Sequence, residues 1–364
     1  MKKILTLLLL ITFIFPTLAQ AQDVGDKLFE ATVLKVVGEE KITREDGSEG
    51  TQQKVLIKGL EGEWKGQEIE VQGLNGIDVF RNIEAAEGDR VLITESQTPD
   101  GEKLYFISDY VRRAPLYLLA IIFCALIIII GKKKGLKALL SLILSFVVIM
   151  WFILPRILAG DNPLFISIIG ALIILGLVVY VTWGWKAKAH IASISMVISL
   201  FITGVVSIVF TNISNLTGLA QDDAVYLIGA GEAAINFQGL LLAGIIIGTL
   251  GVLDDVIISQ ISTVEQIKKT GKDLSFSEVY KKALSVGVDH ISSMTNTLFL
   301  AYAGAALPLL LLFVSNTEQS VTFGQVLNNE IIATEIVRTL TGSIGLILAM
   351  PIATVLAAKY LKVK

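Results

Sequence analysis

The chain reads as an α-helical polytopic membrane protein with about seven transmembrane helices and a small N-terminal exported β-barrel-like domain. Three observations predict that class. More than half of the 364 residues are hydrophobic and 17% are charged, against roughly 25% in soluble domains. The apolar residues gather into stretches of about 20, the length that crosses a bilayer. The charges are segregated: residues 23–113 carry 20 Asp/Glu and 12 Lys/Arg, a net of −8, while the remainder carries a net of +5. Neither balance points to nucleic acid.

Residues 1–22 contain Lys2-Lys3, an apolar run from Ile4 to Leu18 and the small triplet Ala19-Gln20-Ala21. This pattern predicts a secretory signal cleaved after Ala21; left uncleaved it would be an N-terminal anchor, and in both cases the segment after it is exported. Residues 23–113 form the predicted exported β domain. Leu28 to Val36, Val55-Leu-Ile57, Glu68-Ile-Glu-Val71, Arg90 to Thr94 and Leu104 to Ile107 are short strand-like runs, several of them alternating. Turn residues separate them at Glu45-Asp-Gly47, Gly62 to Gly66, Gly88-Asp89 and Pro99-Asp-Gly101. Five short strands suggest a small closed barrel, of OB type. Its acidic face is either a solvated surface or a contact for an envelope protein.

Residues 114–364 form the predicted membrane domain, with spans at 114–131, 138–159, 164–184, 189–212, 239–261, 290–314 and 331–357. An exported β domain forces the first span to run inward, which fixes the side of every later loop. The predicted inner loops hold Lys132, Lys133, Lys134 and Lys137, then Lys186 and Lys188, then Lys268, Lys269, Lys272, Lys281 and Lys282, and finally Lys359, Lys362 and Lys364. The predicted outer ones, around Asp161, from Ile213 to Gln238 and from Ser315 to Glu330, hold acids and no Lys or Arg. That is the positive-inside pattern of a cytoplasmic membrane with the C-terminus in the cytosol. Arg112 and Arg113 are the exception, and a folded exported domain overrides such local charge. Cys124 is the only cysteine, so no intrachain disulfide forms.

The chemistry concentrates at Asp254 and Asp255, side by side in the fifth span. A carboxylate at the centre of a membrane helix costs roughly 2.5–3.5 kcal/mol on translocon scales, so two imply a partner, water access or bound protons. At 3.6 residues per turn they point about 100° apart, so they are no face-to-face catalytic dyad. Gly244, Gly248, Gly251, Asp255 and Ser259 recur at three- and four-residue steps and form one stripe, which predicts close helix packing at the glycines. The sixth span opens with Asp289-His-Ile-Ser-Ser-Met-Thr-Asn-Thr-Leu298. Asn296 is as far from its inner end as Asp254 is from that of the fifth, so Ser292, Ser293 and Asn296 are expected to face the acids. Ordinary back-bonding of the hydroxyls to helix carbonyls is the alternative. Glu335 and Arg338, three residues apart near the outer end of the seventh span, suit an ion pair, and Pro351 should kink that span. Walker loops, zinc spacings and Ser/His/Asp sets are not apparent. The expectation is therefore a non-enzyme with no catalytic residues, metal or cofactor.

Two resemblances rest on these motifs. The run Gly251-Val-Leu-Asp-Asp-Val-Ile257, then Glu265, the amphipathic Phe276-Ser-Glu-Val-Tyr-Lys-Lys-Ala-Leu284, Ser293-Met-Thr-Asn-Thr-Leu298, Leu307-Pro308 and Leu346 to Pro351 resembles the resistance-nodulation-division transporters and their SecD/SecF relatives. The likeness covers about 110 residues, and implies that Asp254 and Asp255 are protonation sites coupled to helix motion, with Ser293 and Asn296 as hydrogen-bonding partners. It departs from that superfamily in having one six-helix set and no porter domains, so a drug-efflux site is not carried over. The whole chain, with Gly88-Asp-Arg-Val91, Asp109-Tyr-Val-Arg-Arg113 and the Gly-rich acidic fifth span, resembles the YibE/F-family membrane proteins. A proton- or cation-coupled transporter or transport accessory is the function these likenesses imply, with a homodimer as the expected assembly and the lipid bilayer as its setting. The rival reading is a non-transporting membrane organiser or secretion helper acting through residues 23–113.

Overall fold

The computed structural model describes residues 27–43, 49–72, 84–97, 101–220, 222–229, 235–271, 273–314 and 322–362. The signal segment and the turn at Glu45 lie outside the described residues. The chain divides into two compact units, Met1–Phe123 and Cys124–Lys364.

The first unit carries five antiparallel strands: β1 (Lys27–Thr43), β2 (Glu49–Gly59), β3 (Glu68–Gln72), β4 (Arg90–Gln97) and β5 (Lys103–Tyr110), in the order β3-β2-β1-β4-β5. Each expected strand run falls inside one of them. Alternation explains the core: Phe29, Ala31 and Val33 of β1, Val55 and Ile57 of β2, Val71 of β3 and Val91 and Ile93 of β4 all turn inward. β1 is the long central strand. Register irregularities at Val33/Lys35 and Val36/Gly38 bend it as it pairs with β2. The edge strands β3 and β5 approach one another, yet no strand pairing joins them among the described residues.

Phe29 stacks on Trp64 at 4.2 Å, and Tyr105 meets Phe29 edge-on at 6.1 Å. Beneath these rings lies Glu95, 2% exposed. Its carboxylate accepts from Trp64 Nε1 at 2.8 Å and from the Tyr105 hydroxyl at 2.9 Å, and pairs with Lys103 Nζ at 3.0 Å. A buried charge is tolerable because all its neighbours donate to it. The two arginines that depart from the positive-inside pattern are also paired within this unit, Arg113 with Glu30 and Arg112 with Asp109.

The helices are α1 (Arg113–Val148), α2 (Leu154–Leu158), α3 (Pro163–Trp183), α4 (Ala187–Ile213), α5 (Asp222–Gly229), α6 (Phe237–Thr270), α7 (Phe276–Ala305), α8 (Leu307–Val314), α9 (Phe323–Asn328) and α10 (Glu330–Tyr360). Among the described residues five helical stretches are long and apolar enough to cross a membrane: Arg113–Leu158, α3, α4, α6 and α10. The sequence suggests seven, and the difference has two causes. Arg113–Leu158 holds two expected spans in one stretch of 46 residues; a straight helix of that length would reach about 69 Å, over twice the hydrocarbon thickness. It is not straight. Lys132 leaves the helical region with φ 49° and ψ −128°, and a Cβ at Gly135 would collide with the Ile127 carbonyl, a contact that eight residues of regular helix could not make. The expected sixth span is divided at Ala306, just before Pro308, into α7 and α8, and its first half, with Asp289 and His290, is too polar to be counted. Between α1 and α2 the π-turn Ile149–Ile153 accommodates Pro155, which lacks the N–H of a regular ladder. Pro351 lies within α10, which stays helical through it.

Side-chain caps start several helices: Asn162 accepts from Phe165 N at 3.2 Å, Asn236 from Gly239 N at 2.9 Å, and Ser275 with Glu278 forms a capping box on α7. Lysines gather where the start of α4 meets the ends of α6 and α10. Lys188 lies 3.5 Å from Glu265, which also takes Lys269 at 2.6 Å, and Lys268 donates to the Leu361 carbonyl at 2.9 Å. At their opposite ends Glu330 of α10 accepts from the Thr217 hydroxyl at 2.8 Å and from Gly218 N at 3.2 Å, in the loop after α4. Gly218, at φ 78°, also lets the loop press on the Phe237 carbonyl, where a Cβ would clash.

Candidate functional site

The closest helix packing lies between α4 and α10. Ser195, Ser199, Thr203, Ser207 and Thr211 repeat every four residues along α4, all fully buried, on the helix that packs along α10. A side chain at Gly345 would collide with Thr203. Ser195, Ser199 and Thr203 satisfy their hydroxyls by bonding back to Ile191, Ser195 and Ser199 carbonyls at 2.8, 2.8 and 2.9 Å. Small residues let the backbones meet, and their four-residue spacing in the fourth span was a readable signal. The glycine stripe expected to do this is placed otherwise. Gly244, Gly248 and Gly251 lie on the exposed side of α6 with Asp255 and Ser259. A Cβ at Gly244 or Gly251 would meet nothing within 4 Å, and at Gly248 it would meet the Tyr302 hydroxyl of α7 at 3.2 Å.

Gln260 fixes three helices to one another. It is 3% exposed, and its amide donates to the Ala283 carbonyl of α7 and to the Thr354 hydroxyl of α10, both at 2.8 Å. Gly287 leaves the space, since a Cβ there would lie 2.8 Å from the Gln260 amide oxygen and 2.7 Å from Met350 Sδ. The contacts Gln260 with Ala283 and Gly248 with Tyr302 set the register of antiparallel α6 and α7. Halfway between them, Asp254 comes level with Ser292 and Ser293, near the depth expected from counting inward.

The expected partners on α7 are not bonded to the acids among the described residues. Ser293 and Asn296 are exposed, and among the described residues no hydrogen bond joins either to Asp254 or Asp255. Ile291 and Met294 turn inward against Val256 and Met350. Among the described residues, His290 Nε2 and Thr295 Oγ1 are buried polar atoms on this helix with no hydrogen-bond partner. Asp254 Oδ1 is in the same condition: buried, with no group among the described residues donating to it. Asp255 is more exposed and lies within electrostatic reach of both Asp254 and His290. The two carboxyls therefore occupy different environments, as their angular separation requires. What they can do chemically is exchange or share a proton, or coordinate a cation, with His290 of α7 within electrostatic reach of Asp255.

Glu335 and Arg338 form an ion pair at 3.0 Å on one face of α10, both largely buried. The Tyr302 hydroxyl of α7 lies within electrostatic reach of both. Arg338 Nε has no partner.

No curated protein and no solved structure matches this chain. Residues 119–363 match the family model described as YibE/F-like protein, and the chain, most of whose length that model covers, belongs to this family.

Proposed function

We propose that this protein is a seven-span component of a bacterial cytoplasmic membrane that couples movement of a proton or cation to transport, as transporter or accessory. In this reading Asp254 is the group that gains and loses the charge, Asp255 connects it to the more open side of α6, and His290 and Thr295 replace Ser293 and Asn296 as the nearest hydrogen-bonding candidates. The observation that carries it is the buried, unpartnered Asp254 carboxyl oxygen between packed helices. A fixed structural acid would be expected to hold donors, as buried polar groups do. A proton on that oxygen, or a cation beside it, supplies what the protein leaves out. The membrane potential provides about 2.3 kcal/mol per charge per 100 mV, enough to bias a modest helix rearrangement.

The seven spans come from dividing Arg113–Leu158 at Lys132 and from counting α7 with α8. The lysine-rich helix ends would face the cytosol, residues 23–113 the exported side as a barrel closed between β3 and β5, and residues 1–22 would be the export signal. The likeness to resistance-nodulation-division transporters belongs to the same reading, as does a homodimer covering the open face of α6. Reporters fused after Lys134, Lys188, Lys272 or Lys364 should report cytosol, and after Asp222 or Glu318 the exported side; one firm reversal breaks the topology. Proton flux into proteoliposomes should be lost when Asp254→Asn is combined with Asp255→Asn. Equal flux in wild type and this variant would remove coupling. The compact acidic β unit supports the second reading, a membrane organiser acting on an envelope protein. Its activity would survive the double Asn variant and fail on deletion of residues 24–109.

A further inference from the structure

The helical unit forms a partly open cavity of about 320 Å³ between α2, α3, α5, α6 and α10. Ile153, Ile157, Leu240 and Ile247 give it apolar walls. Among the described residues, three hydrogen-bond donors that line it have no acceptor: the Ser167 hydroxyl, 0% exposed, the Thr334 hydroxyl, 3% exposed, and Arg338 Nε. Thr334 and Arg338 are one turn apart on α10 and share a face. Glu335 engages the Nη1 of the guanidinium, which leaves the Nε edge unmatched. Asp223 also lines the cavity and is exposed.

We infer that this cavity binds a small carboxylic acid with an apolar body. An apolar enclosure with a few placed polar groups is the usual form of a small-molecule site. Three unmatched donors call for acceptor oxygens, and a carboxylate offers two on one carbon. A dianion such as phosphate is a poorer match, because among the described residues the one cation lining the cavity, Arg338, is already paired with Glu335 and Asp223 adds negative charge nearby. Gly244 contributes the remaining space: it lines the cavity, and a Cβ there would meet nothing. The absence of a side chain at this point of α6 is thus explained by room for a ligand. As a transport substrate site the cavity rests on the coupled-transport reading; as a binding site it stands apart from Asp254.

The test uses the full chain in phosphatidylcholine nanodiscs with no pH gradient, titrated calorimetrically with hexanoate, 4-phenylbutyrate and indole-3-acetate. Each acid is paired with its amide and with the matching amine. At least one acid should bind saturably and at least tenfold tighter than its amide, with the amine weaker still. Glu335→Gln combined with Arg338→Gln should weaken that acid tenfold or more. Gly244→Leu, which fills the space and removes no donor, should abolish binding while the thermal midpoint holds. Absence of saturable binding by all three acids, an amine that binds as well as its acid, or wild-type affinity in Gly244→Leu would each overturn the proposal. Because binding is read without a gradient, acid binding alongside absent proton flux would sink the coupling reading alone.

Discussion

Glu95 and Asp254 are both acids taken out of water, and the protein treats them in opposite ways. In the β unit, Trp64, Tyr105 and Lys103 all donate to Glu95. In the helical unit, Asp254 keeps a buried oxygen to which no protein group donates. A satisfied carboxylate is a fixed part of a core, because each donor would be stranded without it. An unsatisfied one adds little to the fold and keeps its freedom to take a proton or ion. The contrast teaches where in this chain stability and chemistry reside.

The largest effect should come from Glu95→Ala. It strands Trp64 Nε1 and the Tyr105 hydroxyl in the core, at a cost of about 2–4 kcal/mol, read as faster hydrogen exchange in peptides spanning β4 and β5. Wild-type protection there would break the comparison. Gln260→Ala sharpens it by asking whether satisfaction, and not compartment, is what matters. This change removes the buried amide that donates to the Ala283 carbonyl and the Thr354 hydroxyl, leaves a cavity among three helices, and should cost about 1–3 kcal/mol, seen as a lower thermal midpoint in nanodiscs.

Acid should act more mildly, and in the β unit it acts through Glu95. Burial pushes the Glu95 carboxyl up, but the hydrogen bonds from Lys103, Trp64 and Tyr105 outweigh it and hold the group below the ordinary carboxylate range. Its stabilising contribution is therefore full above the unfolded value of about 4.3 and is lost as pH falls through the lower folded value. The stability gap between wild type and Glu95→Gln should close across that acidic window; a constant gap would contradict it. The smallest effect is predicted for Asp254→Asn, which removes no donor's partner and should change thermal stability by less than about 0.5 kcal/mol.

How far the sequence makes this legible depends on the kind of information needed. The five strands follow from alternation and the Asp pair from its apolar setting. Glu95 was also readable, since Val91, Ile93 and Glu95 share one strand face and the first two are plainly core, yet an acid in an acidic domain passes for surface. The depth of Asp254 against α7 follows from counting along antiparallel helices. Which α7 side chains face it does not: that depends on rotation about the helix axis, and with Ile291 and Met294 packed on Val256 and Met350, Ser293 and Asn296 are exposed while His290 Nε2 and Thr295 Oγ1 are buried. The glycines are ambiguous because a missing side chain marks either a packing seam or an opening: Gly248 lies against Tyr302 of α7, and Gly244 borders an opening. The Ser/Thr row of α4 carried the seam instead.

The most direct measurement places the two acids side by side in one assay. Proton uptake into proteoliposomes under an imposed potential would be followed for wild type, Glu95→Gln and Asp254→Asn at matched protein density, with the fold of each checked by its melting curve. The account predicts flux near wild type for Glu95→Gln and at the protein-free background for Asp254→Asn, although Asp254→Asn is the more stable of the two. Wild-type flux in Asp254→Asn would contradict it and leave the buried carboxyl without a role in coupling.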